Sequence, residues 1–284
     1  MSAMELEWRS EGVELEHEQD DDLPPDAVVE PVSHPGAAAR VLRLLDTFVG
    51  APTYLGLTQL AERADLPKST THRLLATFVR EGYVRRVGDS YSLSNRAFEV
   101  GNSVMSCRPN GLREIAMPHL VDLFNQTRQT VHLAILQGEA EVLYLEKIFG
   151  HSSVRTSTAV GARRPAHATA LGKAMIAFSS PKIRELMLAG PLERYTERTF
   201  TTRTELEKQL AGARTLGYAV DRGEYSDRLT CVAAPIRNKT GLAVAAMSMS
   251  TTPGVEIIGT HARHVVQAAS AVSRDLGRWG FVAE

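Results

Sequence analysis

The chain has little cysteine, few aromatics and no long apolar stretch. Two cysteines in 284 residues cannot build a disulfide framework, which points to a reducing compartment and a cytoplasmic protein. No run approaches the roughly 18 apolar residues that a membrane span needs, so no membrane partner is expected. The start, MSAMELEWRS, lacks an apolar core after a basic segment and does not read as a secretory signal. Net charge is nearly absent as well, at -1, but that sum conceals an uneven distribution.

Residues 1 to 30 hold 11 acids and one base, a sum of -10 that leaves +9 for residues 31 to 284. Dense like charge with few apolar residues cannot bury enough surface to offset ordering entropy, and Pro24-Pro25 adds a break. Residues 1–34 are therefore expected to form a disordered acidic leader. Two readings stay open for it: a solvated extension, or a tail that mimics nucleic acid and competes for a basic surface. At roughly 150 residues per domain, the remaining length suits two domains.

From Ala37 the periodicity turns helical, with Val41, Leu44, Leu45 and Phe48 on one stripe and Pro52 ending it. A short second helix follows, with Thr58 expected as its N-cap and Leu57, Leu60 and Ala61 on its apolar face. After the turn at Ala64-Asp65-Leu66-Pro67, a third helix is expected from about Lys68 to Arg80. Leu74, Leu75 and Phe78 face inward, and Lys68, Ser69, His72 and Arg73 face outward. Helix, tight turn, helix is the outline of a helix-turn-helix. Glu81-Gly82 ends the third helix, and strands at residues 83–87 and 91–93 around Gly88-Asp89-Ser90 make a two-stranded wing. Between Arg63 and Arg86 there are six bases and two acids. That excess sits on the elements that would face a duplex, as phosphate contact requires.

Three separated stretches, Arg40 to Asp46, Leu66 to Leu75, and Glu81 to Arg86 with Tyr91-Ser92-Leu93, together resemble the winged helix-turn-helix of the IclR-type transcriptional regulators. Thr71 and Ser94 depart from the family pattern, where an apolar residue and a glycine are more usual. The resemblance implies a winged helix-turn-helix over residues 35–94, a linker helix over 95–109, and an effector-binding and oligomerisation domain over 110–284. Double-stranded operator DNA is the implied partner. Lys68, Ser69, Thr70, His72, Arg73, Arg85 and Arg86 are the candidate DNA contacts, and Arg73 has a structural ion pair as its alternative role.

Residues 110–284 read as α+β with a mostly antiparallel sheet, because strands arrive as hairpins with helices beside them. Helices are expected at residues 112–125 and 202–216 and around Val265, Ala269, Val272 and Leu276. Strands are expected at residues 130–136, 142–148, 153–158, 218–221, 230–236 and 242–250. Along the last strand Ala245, Met247 and Met249 point one way and Ala246, Ser248 and Ser250 the other. The small hydroxyl face suits either a polar ligand or open water. The segment Gly161 to Ala174 is a glycine-containing loop that feeds a helix, with Ala166 to Thr169 expected in its first turn, where free N–H groups attract anions.

That loop, Gly217 to Asp221 and Cys231 to Pro235 also resemble the IclR-type effector domain, a GAF-like fold. The resemblance implies a small-molecule effector, often an organic acid, held by Gly161, Ala162, Asp221, Cys231, Ser248 and Ser250. It also implies a homodimer or homotetramer that controls a catabolic operon. Arg228 stands where glycine is usual, so the loop around Glu224 to Leu229 is expected to close differently. No cofactor, catalytic residue or metal site is expected. The rival readings are a ligand-sensing adaptor whose helical head binds protein, and an enzyme. An enzyme would use Cys231 with Asp221 and His132 or His167, or a metal at His261 and His264.

Overall fold

A computed structural model describes residues 36–103, 111–138, 140–254 and 258–278. The acidic leader, the end of the expected linker helix and Cys107 lie outside the described residues.

The first unit is built on α1 (Ala37–Asp46), β1 (Leu55–Gly56), α2 (Leu57–Ala64), α3 (Lys68–Arg80), β2 (Val84–Val87) and β3 (Ser90–Leu93). Its core joins Leu44, Phe48, Leu60, Leu75 and Phe78, which the helical spacing marks, to Val84 and Tyr91 of the wing strands. Two local readings change. Thr58 does not cap α2; Gly56 does, and its N–H donates to Gln59 Oε1 at 2.9 Å. The chain enters that helix directly from β1, which pairs antiparallel with β3 and makes the wing sheet three-stranded, in the order β1-β3-β2. Both departures from the family pattern are locally satisfied. Thr71 is buried and its Oγ1 donates to Pro67 O at 3.1 Å. Ser94 caps α4 (Asn95–Asn102) by accepting from the Arg96 N–H at 3.2 Å.

The second unit is a six-stranded antiparallel sheet between two helical layers. Its strands are β4 (Thr130–Gln137), β5 (Glu141–Ile148), β6 (Arg163–Pro165), β7 (Ala219–Asp221), β8 (Thr230–Arg237) and β9 (Ala243–Thr251), in the order β6-β5-β4-β9-β8-β7. On one face α5 (Leu112–Thr127) and α9 (Ile258–Arg278) bury Leu120, Leu123, Val265 and Val272 against Val131, Leu133, Met247 and Met249. On the other, α6 (Ala170–Ala177), α7 (Pro181–Leu188) and α8 (Arg203–Leu216) cover Ala134, Val142, Ala233 and Ala246.

Residues 153–158 form no strand; the sheet's edge is β6 instead. Side chains from the sheet, rather than a ladder, satisfy that stretch. Thr130 Oγ1 donates to Val154 O at 2.7 Å, and Lys147 Nζ donates to Thr156 O at 3.1 Å and to Thr158 O at 2.6 Å. The turn before α6 is also displaced from its expected place. Residues 166–169 precede the helix, and Thr169 is its N-cap, accepting from the Gly172 N–H at 3.1 Å.

Candidate functional site

Two sites emerge, one on each unit. On the first, α3 buries Thr71, Leu75 and Phe78, so its helical period turns Lys68, Ser69, His72 and Arg73 outward, with Thr70 half-buried at the margin. Arg73 makes no ion pair among the described residues. On the wing Arg85 and Arg86 are exposed and their side chains are steered locally. Arg85 Nε donates to Ser92 Oγ at 2.9 Å, and Arg86 Nε donates to Gly88 O at 2.9 Å beside the Tyr91 ring. The Arg86–Asp89 pair at 3.5 Å is fully solvated on its acid side and contributes little. Helix and wing thus present an accessible cationic strip.

The second site follows from strand register. Asp221 pairs with Cys231, Cys231 with Ser250 and Ser250 with Thr130, so four strands place one row across the sheet. The next row on this face aligns Ser248 with His132. Facing these rows are Tyr144, the Thr156 to Thr158 stretch, Thr169 to Leu171 at the start of α6, and Tyr225, Ser226 and Leu229; together they enclose a cavity of about 40 Å³. Ser248 and Ser250 are each 2% exposed, so the hydroxyl face of β9 meets this cavity and not water. Typical ligand pockets measure roughly 300–1,000 Å³, so a ligand must displace lining side chains to enter.

Within the cavity Cys231 Sγ lies 3.2 Å from Ser250 Oγ, and His132 Nε2 lies 2.8 Å from Thr158 Oγ1. Burial, reinforced by the Asp221 charge, pushes the Cys231 thiol up to about 12. Burial, helped by Lys147, brings His132 down to about 3. Asp221 is pushed up to about 7 by burial and then by Glu224, although the Glu224 N–H donates to its Oδ1 at 2.6 Å. Beneath the loop after β7, Lys173 of α6 is 1% exposed. It donates to Val220 O at 2.6 Å and pairs with the buried Glu224 carboxylate, so a buried charge holds the loop onto the helix.

Of the residues expected from sequence, Asp221, Cys231, Ser248 and Ser250 come together here. Gly161 and Ala162 lie outside these walls, in a neighbouring groove with Val49 and Gly50. Gly161 N–H donates to Tyr144 O at 2.8 Å, and Ala162 O accepts from the Tyr144 N–H at 3.0 Å. Arg228 is exposed, on a turn closed by a Leu229 N–H to Ser226 O bond of 3.1 Å. Sequence reasoning gives His132 only the role of a base and gives Tyr144 none. Strand alternation puts both side chains on the cavity face, and that signal is visible in sequence once register is known. His264 Nδ1 lies 2.9 Å from Thr260 O, and no group of three metal-ligating side chains occurs among the described residues.

Residues 106–278 match the family described as bacterial transcriptional regulator IclR C-terminal, and residues 37–88 match the IclR helix-turn-helix domain. The chain belongs to the IclR family. It is 36% identical over 248 residues to the regulator XynR of Escherichia coli, covering 84% of this chain and 96% of that protein. It is 34% identical over 215 residues to the transcriptional repressor IclR of the same organism, covering 74% and 78%. An IclR homologue from Microbacterium hydrocarbonoxydans, solved with 4-hydroxybenzoate, superposes with a TM-score of 0.76 at 32% identity, covering 84% of this chain and 98% of that one. As an IclR-family member the protein is a DNA-binding transcriptional regulator with a ligand-responsive C-terminal domain. No helix among the described residues is long and apolar enough to cross a membrane.

Proposed function

We propose that this IclR-family protein works in the cytoplasm as a homodimer or homotetramer on a near-palindromic operator and controls a catabolic operon in response to a small organic acid. Two copies of α3 enter successive major grooves. Lys68, Ser69, Thr70, His72 and Arg73 meet base edges and phosphates, and Arg85 and Arg86 of the wing meet phosphates alone. The effector sits against Asp221, Cys231, Ser248 and Ser250, with its acid group toward the N–H groups that open α6. Gly161 and Ala162 act indirectly, through the two backbone bonds that position Tyr144. Effector binding shifts the population between two assembly geometries, a coupling typically of about 1–3 kcal/mol.

The observation that carries this reading is the small cavity walled by buried hydroxyls and the start of α6. It lies in the same chain as an exposed cationic strip on α3 and the wing. We assign the protein no catalytic role, cofactor or metal. Cys231 faces a serine with its thiol pushed to about 12, the opposite of an activated nucleophile.

A mobility-shift titration of the DNA upstream of its own gene, with a panel of aromatic and aliphatic acids, tests the proposal. Retardation that one acid modulates supports it. DNA that never shifts favours a protein-binding adaptor. Replacing Arg85 or Arg86 by Ala should flatten the log-log salt slope by up to about 0.9 for each phosphate left without its cation; an unchanged slope removes the wing from the interface.

A further inference from the structure

The cavity's own walls carry one titratable acid, Asp221, and no lysine or arginine. An anionic effector therefore meets only the N–H groups at the start of α6 within these walls, and a full positive charge stands beside them. Arg164 lies on the edge strand β6, directly opposite Val142 of β5. Directly opposed residues share a face. Val142 belongs to the cluster that includes Tyr144, so Arg164 projects over the cavity side of the sheet. Its guanidinium is 5.4 Å from the Tyr225 ring centroid, and its Nη2 donates to Ser157 O at 3.2 Å. Ser157 and Tyr225 both line the cavity, and they come from two different loops. Arg164 itself lines the neighbouring groove, and from there one side chain reaches both of the loops that contribute Ser157 and Tyr225 to the cavity wall.

The hydrogen bonding of that side chain is incomplete. Nη1 donates to Arg163 O at 2.7 Å and Nη2 to Ser157 O, but Nε is buried with no partner among the described residues. An unmade bond on a buried charged donor is costly. A carboxylate would satisfy Nε and a neighbouring Nη together in the forked geometry that guanidinium favours.

We propose that Arg164 is the specificity-determining residue of the effector site. It reads the acid group of the effector, and by turning toward it releases the Ser157 loop from the Tyr225 loop. This inference rests on the organic-acid reading of the cavity. It adds a residue, a bond and a direction of selectivity: a carboxylate is preferred over the isosteric amide because only the carboxylate accepts from both nitrogens.

The test is isothermal titration calorimetry on the full chain with two matched pairs, 4-hydroxybenzoate against 4-hydroxybenzamide and pyruvate against pyruvamide. The proteins are the wild type, Arg164→Gln, Arg164→Lys and Ser248→Phe. Wild type should favour the acid of the binding pair by at least about tenfold, the scale of one charge-assisted bond. Arg164→Gln should bring acid and amide level by weakening the acid alone. Arg164→Lys should recover part of the preference, since a point charge remains without the fork, and it carries the test if the Gln variant does not fold. Ser248→Phe should abolish binding of both compounds by filling the cavity.

An acid preference that survives in Arg164→Gln overturns the assignment of Arg164, while loss of binding in Ser248→Phe still upholds the cavity. Equal weakening of acid and amide in both Arg164 variants also overturns it, since that is what a purely structural latch would give. No acid binding to the wild type removes the organic-acid reading, full binding to Ser248→Phe removes this cavity as the acid's site, and either result removes the role of Arg164 with it.

Discussion

Asp221 ends the edge strand at 4% exposure, where burial and the neighbouring Glu224 raise its carboxyl to about 7. In the unfolded chain the same group titrates near about 3.9. The native state therefore keeps a proton that the unfolded state releases, and stability from this group is present below about pH 4 and lost as pH rises through about 7. The same shift bears on binding, because a neutral Asp221 tolerates an acidic effector and an ionised one repels it. Affinity for an acid effector should rise as pH falls through about 7, and Asp221→Asn should flatten that dependence. Calorimetry across the pH range checks it, and an unchanged slope in the Asn variant would show that another group titrates. Cys231, one step along the same row, is held neutral by the same burial. Both protonation states follow from the row's enclosure, which no local motif announces.

At the scale of elements, the legible parts are those whose residues face a single partner. The α3 stripe predicts its burial because one face packs and the other does not. The alternation along β9 separates Met247 and Met249 from Ser248 and Ser250, and the two sets do fall on opposite faces. Residues 153–158 suggest a strand because Val, Thr and Ser alternate there, yet their carbonyls are satisfied by Thr130 and Lys147, more than a turn's length away in sequence. Arg164 is illegible for a related reason, since its partners come from loops whose approach only the fold reveals. The start of α6 depends on a close contact of the same hidden kind. A Cβ on Gly172 would lie 2.1 Å from Ala166 O and 2.3 Å from its Cα; both are backbone atoms that cannot rotate away. Gly172→Ala should therefore cost about 1–3 kcal/mol by overpacking, lowering the melting temperature by roughly 2–4 °C per kcal/mol. Effector affinity should fall with it, because Thr169 and Ala170 line the cavity. Unchanged melting would mean that the turn at residues 166–169 gives way cheaply.

For the whole molecule, charge divides along the chain more sharply than its sum suggests: the first 30 residues carry -10 and the rest +9. The leader's sequence joins the DNA-binding unit just before α1, which begins at Ala37, so its acids share a chain with the strip on α3 and the wing. A tethered polyanion competes at an effective concentration that short linkers raise to about the millimolar range. Its influence extends about one Debye length, roughly 10 Å at 0.1 M salt. Phosphate groups and tethered carboxylates would then exchange for one another on the same cations. A variant that lacks residues 1–30 should bind random-sequence duplex more tightly than the full chain at low salt. The difference should shrink as salt rises, because both competitors are screened alike. Operator binding, held partly by base contacts that carboxylates cannot copy, should gain less. The leader would therefore sharpen discrimination between operator and bulk DNA without touching a base. Salt titrations of both proteins on operator and random duplex decide the matter, and coincident curves at every salt concentration would leave the leader as a solvated extension.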